Sequence, residues 1–232
     1  MIQNIQCDNQ PLTLMGNVAS RCWASTPSKQ IGIDCIESNH GRILEYPSVT
    51  VEISEYSAKM IRELYTHIVG VTRVQASTRY IDYNNFDYYI PESIQKNNKI
   101  SIEYRYIMNE IMKSYKYFIE NKIPKEDAAN MLPLGMMTKV ILKINLRAIL
   151  HMNNIRSCKR ALKEFRNFVE EFNLFLSNID DEWEYIIKNY AKPKCEIIGY
   201  CDEKYSCGKQ PSKKEFLSGK LNWANIMEKR GD

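Results

Sequence analysis

Long apolar runs are missing from this 232-residue sequence. Its longest apolar stretches fall well short of the ~20 residues that cross a bilayer, so no membrane partner is expected. The opening MIQNIQCDNQ has neither the basic nor the apolar region of a secretory signal, which points to a cytoplasmic protein. Excess charge of one sign is also scarce. The net charge is +4, and residues 190–232, with nine Lys or Arg against six Asp or Glu, supply +3 of it. The body is therefore near neutral and lacks the electrostatic footprint of a nucleic-acid binder. Seven cysteines, an odd number at scattered spacings, argue against a disulfide framework and for free thiols in a reducing compartment. Histidine is rarer still. Its three positions, His40, His67 and His151, have no carboxylate or cysteine at ligand spacing, so no metal is expected on them.

What remains is the composition of an ordinary globular chain, long enough for one well-buried domain, taken as 1–190, and a basic cysteine-containing tail, 191–232. Val49, Val51 and Ile53 alternate with polar residues as a half-buried strand, and Ser57 caps a helix through Met60, Ile61 and Leu64 to about His67. Ile107, Ile111, Tyr115, Phe118 and Ile119 predict a core-facing helix over 102–119, closed by Pro124. Val140, Leu142 and Ile144 alternate with Lys139 and Lys143 as a second strand over 138–144, after which Asn145 opens a helix. A further helix over 158–176 places Ala161, Phe165, Phe168, Phe172 and Phe175 on one face, a stripe read as packing. Strands segregated from long helices make the fold class α+β.

Between Thr66 and Tyr80 the segment THIVGVTRVQASTRY reads as a glycine-broken loop rich in donors. Arg73 and Arg79 offer forked guanidinium groups that match phosphate oxygens, and Ser77 and Thr78 can complete an anion cradle.

The stretch from Asn39 to Ile68, with that loop and with LPLGMMTKVILKINLRAILHMNNIR at 132–156, resembles the flavin-dependent thymidylate synthases. The shared features are His40 with Glu45 five residues on, a strand and helix leading to His67, the run Ser77, Arg79 and Tyr80, then Leu-Pro, Asn145-x-Arg147 and a terminal Arg156. The resemblance covers roughly residues 13–175. It implies a largely antiparallel sheet flanked by long helices. It also implies reductive methylation of dUMP to dTMP, with methylenetetrahydrofolate as carbon donor and NADPH reducing bound FAD. Carried over residue by residue, it assigns Ser77, Arg79 and Arg156 to dUMP, with Arg156 and Ser77 nearest the chemistry, and Glu63, Gln75, Thr78 and Arg73, which has no counterpart in the family motif, are expected beside them. It assigns His40, Arg42, Glu45, His67, Asn145, Arg147, His151 and Ile155 to FAD. A homotetramer with sites built between subunits is part of the same implication.

This chain departs from the family at the site itself. Thr66 and Ile68 stand where the family has arginines flanking the central histidine, and Ala129 and Leu162 replace two further polar positions. Arg73, inside a slightly lengthened loop, is the candidate to compensate. Two alternatives to methylation stay open: a sibling hydroxymethylation of dUMP, and a non-catalytic nucleotide-binding homologue. In the tail, Cys195, Cys201 and Cys207 could ligate zinc with a fourth group, but they lack the tight cysteine pair of a usual structural site, so the expectation is a reduced tail without metal.

Overall fold

A computed structural model describes residues 1–218; the end of the tail, 219–232, lies outside the described residues. In chain order the elements are β1 (Ile2–Cys7), α1 (Pro11–Trp23), α2 (Lys29–Glu37), β2 (Ser48–Ser57), α3 (Ala58–Leu64) and β3 (Val71–Gln75). They continue with α4 (Glu92–Gln95), α5 (Asn98–Glu120), α6 (Lys125–Ala128), β4 (Met137–Asn145), α7 (Leu146–Arg156) and α8 (Lys163–Ser177). Last come α9 (Asp181–Tyr190), α10 (Lys194–Ile198) and α11 (Lys213–Leu217).

The alternating sequences of β2 and β4 place them at the centre of the sheet, whose order is β1-β2-β4-β3 with every pairing antiparallel. Val51 lies opposite Leu142, and Val49, Val51, Ile53, Val140, Leu142 and Ile144 all turn one way into the core. Against that face pack α1, α3, α7, α8 and α9, and Phe165, Phe168 and Phe172 are completely buried among them. The class is α+β, as expected. Near its end β2 bulges between Ile53 and Tyr56, so that Tyr56 and Ser57 are both buried. The Ser57 hydroxyl then accepts from Met60 N–H as the cap of α3. Ser57 is fixed in turn by the buried Glu164 carboxylate, which accepts from its N–H and its hydroxyl, each at 2.6 Å.

Three expectations need correction. The segment 66–80 is not all loop: Val71–Gln75 is an edge strand, β3, paired with β4. Its inward-leaning positions are Val71, Arg73 and Gln75, while Val74 faces out, so polar residues occupy the half-buried row and conceal the alternation. The helix α5 is real but is not a core helix. Only Met108 and Tyr115 on it are buried, Ile107 and Phe118 are exposed, and it shares a second, smaller apolar cluster with Tyr83, Phe86 and Met136. Finally, α8 begins at Lys163, so Cys158 and Ala161 belong to the turn before it.

Candidate functional site

Arg156, at the last turn of α7, is the hub. Its Nε donates to His67 Nε2 at 3.1 Å and Nη1 to the Glu63 carboxylate at 2.7 Å. Nη2 donates to Thr66 Oγ1 at 2.8 Å and to the Glu63 carbonyl at 3.3 Å. The guanidinium lies over the Phe165 ring, 4.7 Å from its centroid. The end of α3 supplies Glu63 and the turn behind it supplies Thr66 and His67. Those residues stand about ninety positions from Arg156 in sequence, and the core packing of α3 and α7 on the sheet brings them together.

His67 is buried, and its pKa is lowered from 6.5 to about 4, first by burial and then by the guanidinium of Arg156, by His151 and by Arg73, with Glu63 opposing. The imidazole is neutral at physiological pH. Because Nε2 accepts from Arg156, the proton sits on Nδ1. The unfolded chain takes up a proton near pH 6.5 that native His67 refuses down to about 4, so stability is full above 6.5 and declines as pH falls toward 4. We expect a loss of up to about 3 kcal/mol over that window, and a flatter profile in His67→Gln. Denaturant unfolding at a series of pH values checks it; identical pH profiles for the two proteins would contradict it.

Arg73 reaches the same place from β3. Its Nη1 donates to the His67 carbonyl at 2.6 Å and its Nη2 to the Tyr65 carbonyl at 3.0 Å, and the guanidinium stacks 4.3 Å over the Tyr65 ring. Its Nε is buried without a partner. The remaining expected nucleotide residues lie at and beyond the far end of β3. Gln75 Nε2 approaches Thr138 Oγ1 at 3.5 Å, Ser77 Oγ accepts from Arg79 N–H at 3.2 Å, and Thr78 is half-buried beside them. Arg79 is exposed and pairs with Glu126 of α6 at 3.0 Å. Within one chain the structure thus joins Glu63, His67, Arg73 and Arg156, and ties the 77–80 segment to α6 instead.

The other face of α7 lines an open cleft of about 830 Å³. Arg147, His151 and Asn154 project into it at helical spacing, with Leu44, Val69 and Leu150 as apolar wall and Tyr190, Lys192 and Glu196 opposite. Glu45, in a short 3-10 turn, holds Arg147 at 2.6 Å. Asn145 caps α7, its Oδ1 accepting from Ala148 N–H at 3.0 Å. His40 and Arg42 are exposed and do not line the cleft, although Asn39 does, and the Trp23 ring meets His40 edge-on at 5.6 Å. Ile155 turns away and lines a different, smaller cavity. Sequence reasoning missed Thr66 as a partner of Arg156, Phe165 beneath it and Tyr65 beneath Arg73. The only signal for Phe165 was its place in the aromatic stripe.

A helix that presents two cationic or imidazole groups to a cleft, and ends in a guanidinium held against a neutral histidine, defines a site for an anionic ligand beside a larger cofactor-sized one. Comparison with known proteins makes this specific. Residues 5–178 match the family model described as thymidylate synthase complementing protein. The flavin-dependent thymidylate synthase of Pyrococcus furiosus is 32% identical over 194 residues, covering 78% of this chain and 79% of that one. The Thermococcus kodakarensis enzyme of the same name is 32% identical over 170 residues, covering 71% and 68%. In fold, the chain is similar to flavin-dependent thymidylate synthase from Helicobacter pylori solved with FAD and dUMP, with TM-score 0.63 at 19% identity over 82% of this chain and 98% of that one. The chain belongs to the flavin-dependent thymidylate synthase family, as a divergent member.

Proposed function

We propose that this protein converts dUMP to dTMP, taking the carbon from methylenetetrahydrofolate and the reducing equivalents from NADPH through FAD. The observation that carries this reading is the double use of α7: Arg147 and His151 face the large cleft, and Arg156 on the same helix closes the pocket of Glu63 and His67. The cleft suits FAD in size and in chemistry, with apolar walls for a ring system and Arg147 and His151 for polar edges or a pyrophosphate. When bound, FAD supplies the two-electron carrier between NADPH and the transferred carbon.

The chain's own residues bind and orient. Arg147, braced by Glu45, holds the flavin side with His151 and the Asn145 side-chain amide. Arg156 offers its charge and its remaining Nη1 N–H to the nucleotide, and neutral His67 adds a hydrogen-bonding edge without a second full charge. Ser77 acts as a contact and not as a nucleophile, because no oriented base adjoins it. The separation of the 77–80 segment from Arg156 supports a homotetramer, in which neighbouring copies complete one nucleotide site. Exposed Ile68 and Val69, both at 73%, and Val74 at 68% give that assembly apolar surface beside the site. Folate enters the same reading as carbon donor, and the cytoplasm as location; no helix among the described residues is long and apolar enough to cross a membrane.

The first test is cofactor content. The purified protein is expected to be yellow and to release FAD on denaturation; a protein that neither retains nor binds FAD would end the reading. Within the site, Arg73 compensates for the arginines absent at Thr66 and Ile68. Arg73→Ala should therefore depress dTMP formation about as severely as Arg79→Ala, whereas Lys139→Ala, an exposed pair with Glu52 at 3.6 Å, should be nearly silent. Small and equal effects of Arg73→Ala and Lys139→Ala in a steady-state assay would show that nothing replaces the missing charges.

A further inference from the structure

Cys158 alters the reading of the tail. It lies in the turn after α7, two residues beyond Arg156, and it lines a cavity of about 350 Å³ together with Cys195, Cys201 and Cys207. The remaining three thiols, Cys7, Cys22 and Cys35, do not line that cavity. The sequence offers three tail cysteines at wide spacing and no fourth ligand. The fold supplies the fourth from the catalytic body.

Ion pairs hold the segment around the cavity, Arg160 with Glu203 at 2.6 Å, Lys194 with Asp202 and Lys209 with Glu196, but it has no apolar core. None of its side chains from Pro193 onward belongs to either apolar cluster among the described residues. Its helices α10 and α11 are five residues each, and its one aromatic pair among the described residues is Tyr200 against Phe216 at 5.1 Å. Its backbone closes through Cys201, whose N–H donates to the Pro211 carbonyl at 2.7 Å and whose carbonyl accepts from Lys213 N–H at 3.2 Å. A stretch this short, without a core, needs a cross-link or a metal to stay ordered. A reducing compartment disfavours the cross-link.

The geometry points to a structural zinc site in which Cys158, Cys195, Cys201 and Cys207 each give one thiolate to a single ion. The four thiols lie outside the large cleft and the Arg156 pocket. Four thiolates on Zn²⁺ leave a net charge of −2, with four protons released to solvent. Arg160 and Lys194 line the same cavity together with Glu203 and Asp202, their ion-pair partners, so the wall itself is close to neutral, and Lys209, paired with Glu196, lies near Cys195 and Cys207. Among the described residues no three potential ligands already stand at ligand spacing, so the thiols close inward as the ion enters. The consequence reaches the active site, because α10 carries Cys195 toward the thiol cavity and Glu196 and Ile197 toward the large cleft. A metal here would pin that wall of the cleft to the end of α7.

The full-length protein, expressed with zinc and purified without chelator, is expected to hold about one zinc per chain by elemental analysis. Titration of the metal-free wild-type protein with Co²⁺ should give a sulfur-to-cobalt charge-transfer band and the strong visible bands of a tetrahedral site. In alkylation counting, zinc should protect four thiols that a chelator then exposes. Cys158→Ser should weaken zinc retention more than about tenfold in a chelator competition, and Cys22→Ser should leave it unchanged. The wild-type cobalt titration needs no variant to fold. Absence of the charge-transfer band, undiminished zinc in Cys158→Ser, or a disulfide within the quartet in the protein as purified would each overturn the proposal. Loss of FAD or of dTMP formation with zinc intact would count against the proposed function alone.

Discussion

Replacing Arg156 with alanine is expected to weaken dUMP binding by about 100-fold or more, with the fold retained. Charge-assisted hydrogen bonds are worth about 1.5–3 kcal/mol each, and Arg156 keeps one N–H, on Nη1, outside its contacts with His67, Glu63 and Thr66. The loss is compounded because Glu63, now held at 2.7 Å by Arg156, would be left as an uncompensated carboxylate facing an anionic ligand. Arg156→Lys should recover part of the affinity, since it restores the charge but not the planar fork. The same variant has a second readout at His67. Arg156 is the largest charge holding that imidazole below its ordinary value, so in Arg156→Ala the His67 pKa should rise from about 4 toward 6.5 by NMR titration. Unchanged dUMP affinity by calorimetry would remove Arg156 from the nucleotide site.

Gly70→Ala is expected to cost about 2–3 kcal/mol and to reduce FAD retention, although Gly70 has no side chain of its own to contribute. Gly70 has φ +73°, a conformation that charges an L-residue about 1–2 kcal/mol. An added Cβ would lie 2.4 Å from Asn145 Oδ1, the atom that caps α7. Clearing that clash means displacing the cap, worth about 1 kcal/mol, and with it the start of the helix that carries Arg147, His151 and Arg156. Denaturant unfolding and FAD content of the purified variant check the two halves of this expectation. A variant as stable as the parent would show that Asn145 is not positioned against Gly70.

What could be read in the sequence follows from where apolar residues fall. β2 and β4 are legible because Val49, Val51 and Ile53 on one and Val140, Leu142 and Ile144 on the other form apolar inward rows, and α8 because its phenylalanines repeat at helical spacing. β3 is not, because Arg73 and Gln75 occupy its half-buried row. α1 also escapes the pattern. Its Gly16 looks like a breaker, yet it is there because α1 runs so close to the Ser28 carbonyl that a Cβ would come within 2.0 Å of it. At the site, the residue types were legible through the family motifs, but the partnerships were not. Nothing in local spacing pairs Arg156 with His67 and Thr66, or gathers Cys158 with the cysteines of the tail. Those are products of helix packing on the sheet, which brings distant segments side by side.

In the proposed reaction reducing equivalents reach the new methyl group through flavin, and the folate donates only its carbon. The balance is then dUMP, methylenetetrahydrofolate, NADPH and one proton giving dTMP, tetrahydrofolate and NADP⁺. A mechanism that draws its hydride from the folate must release dihydrofolate instead. Mass spectrometry of the products from the FAD-loaded protein given dUMP, methylenetetrahydrofolate and NADPH separates these outcomes. The account predicts dTMP and tetrahydrofolate in equal amounts. 5-Hydroxymethyl-dUMP, dihydrofolate, or no nucleotide product at all from flavin-loaded protein would contradict it.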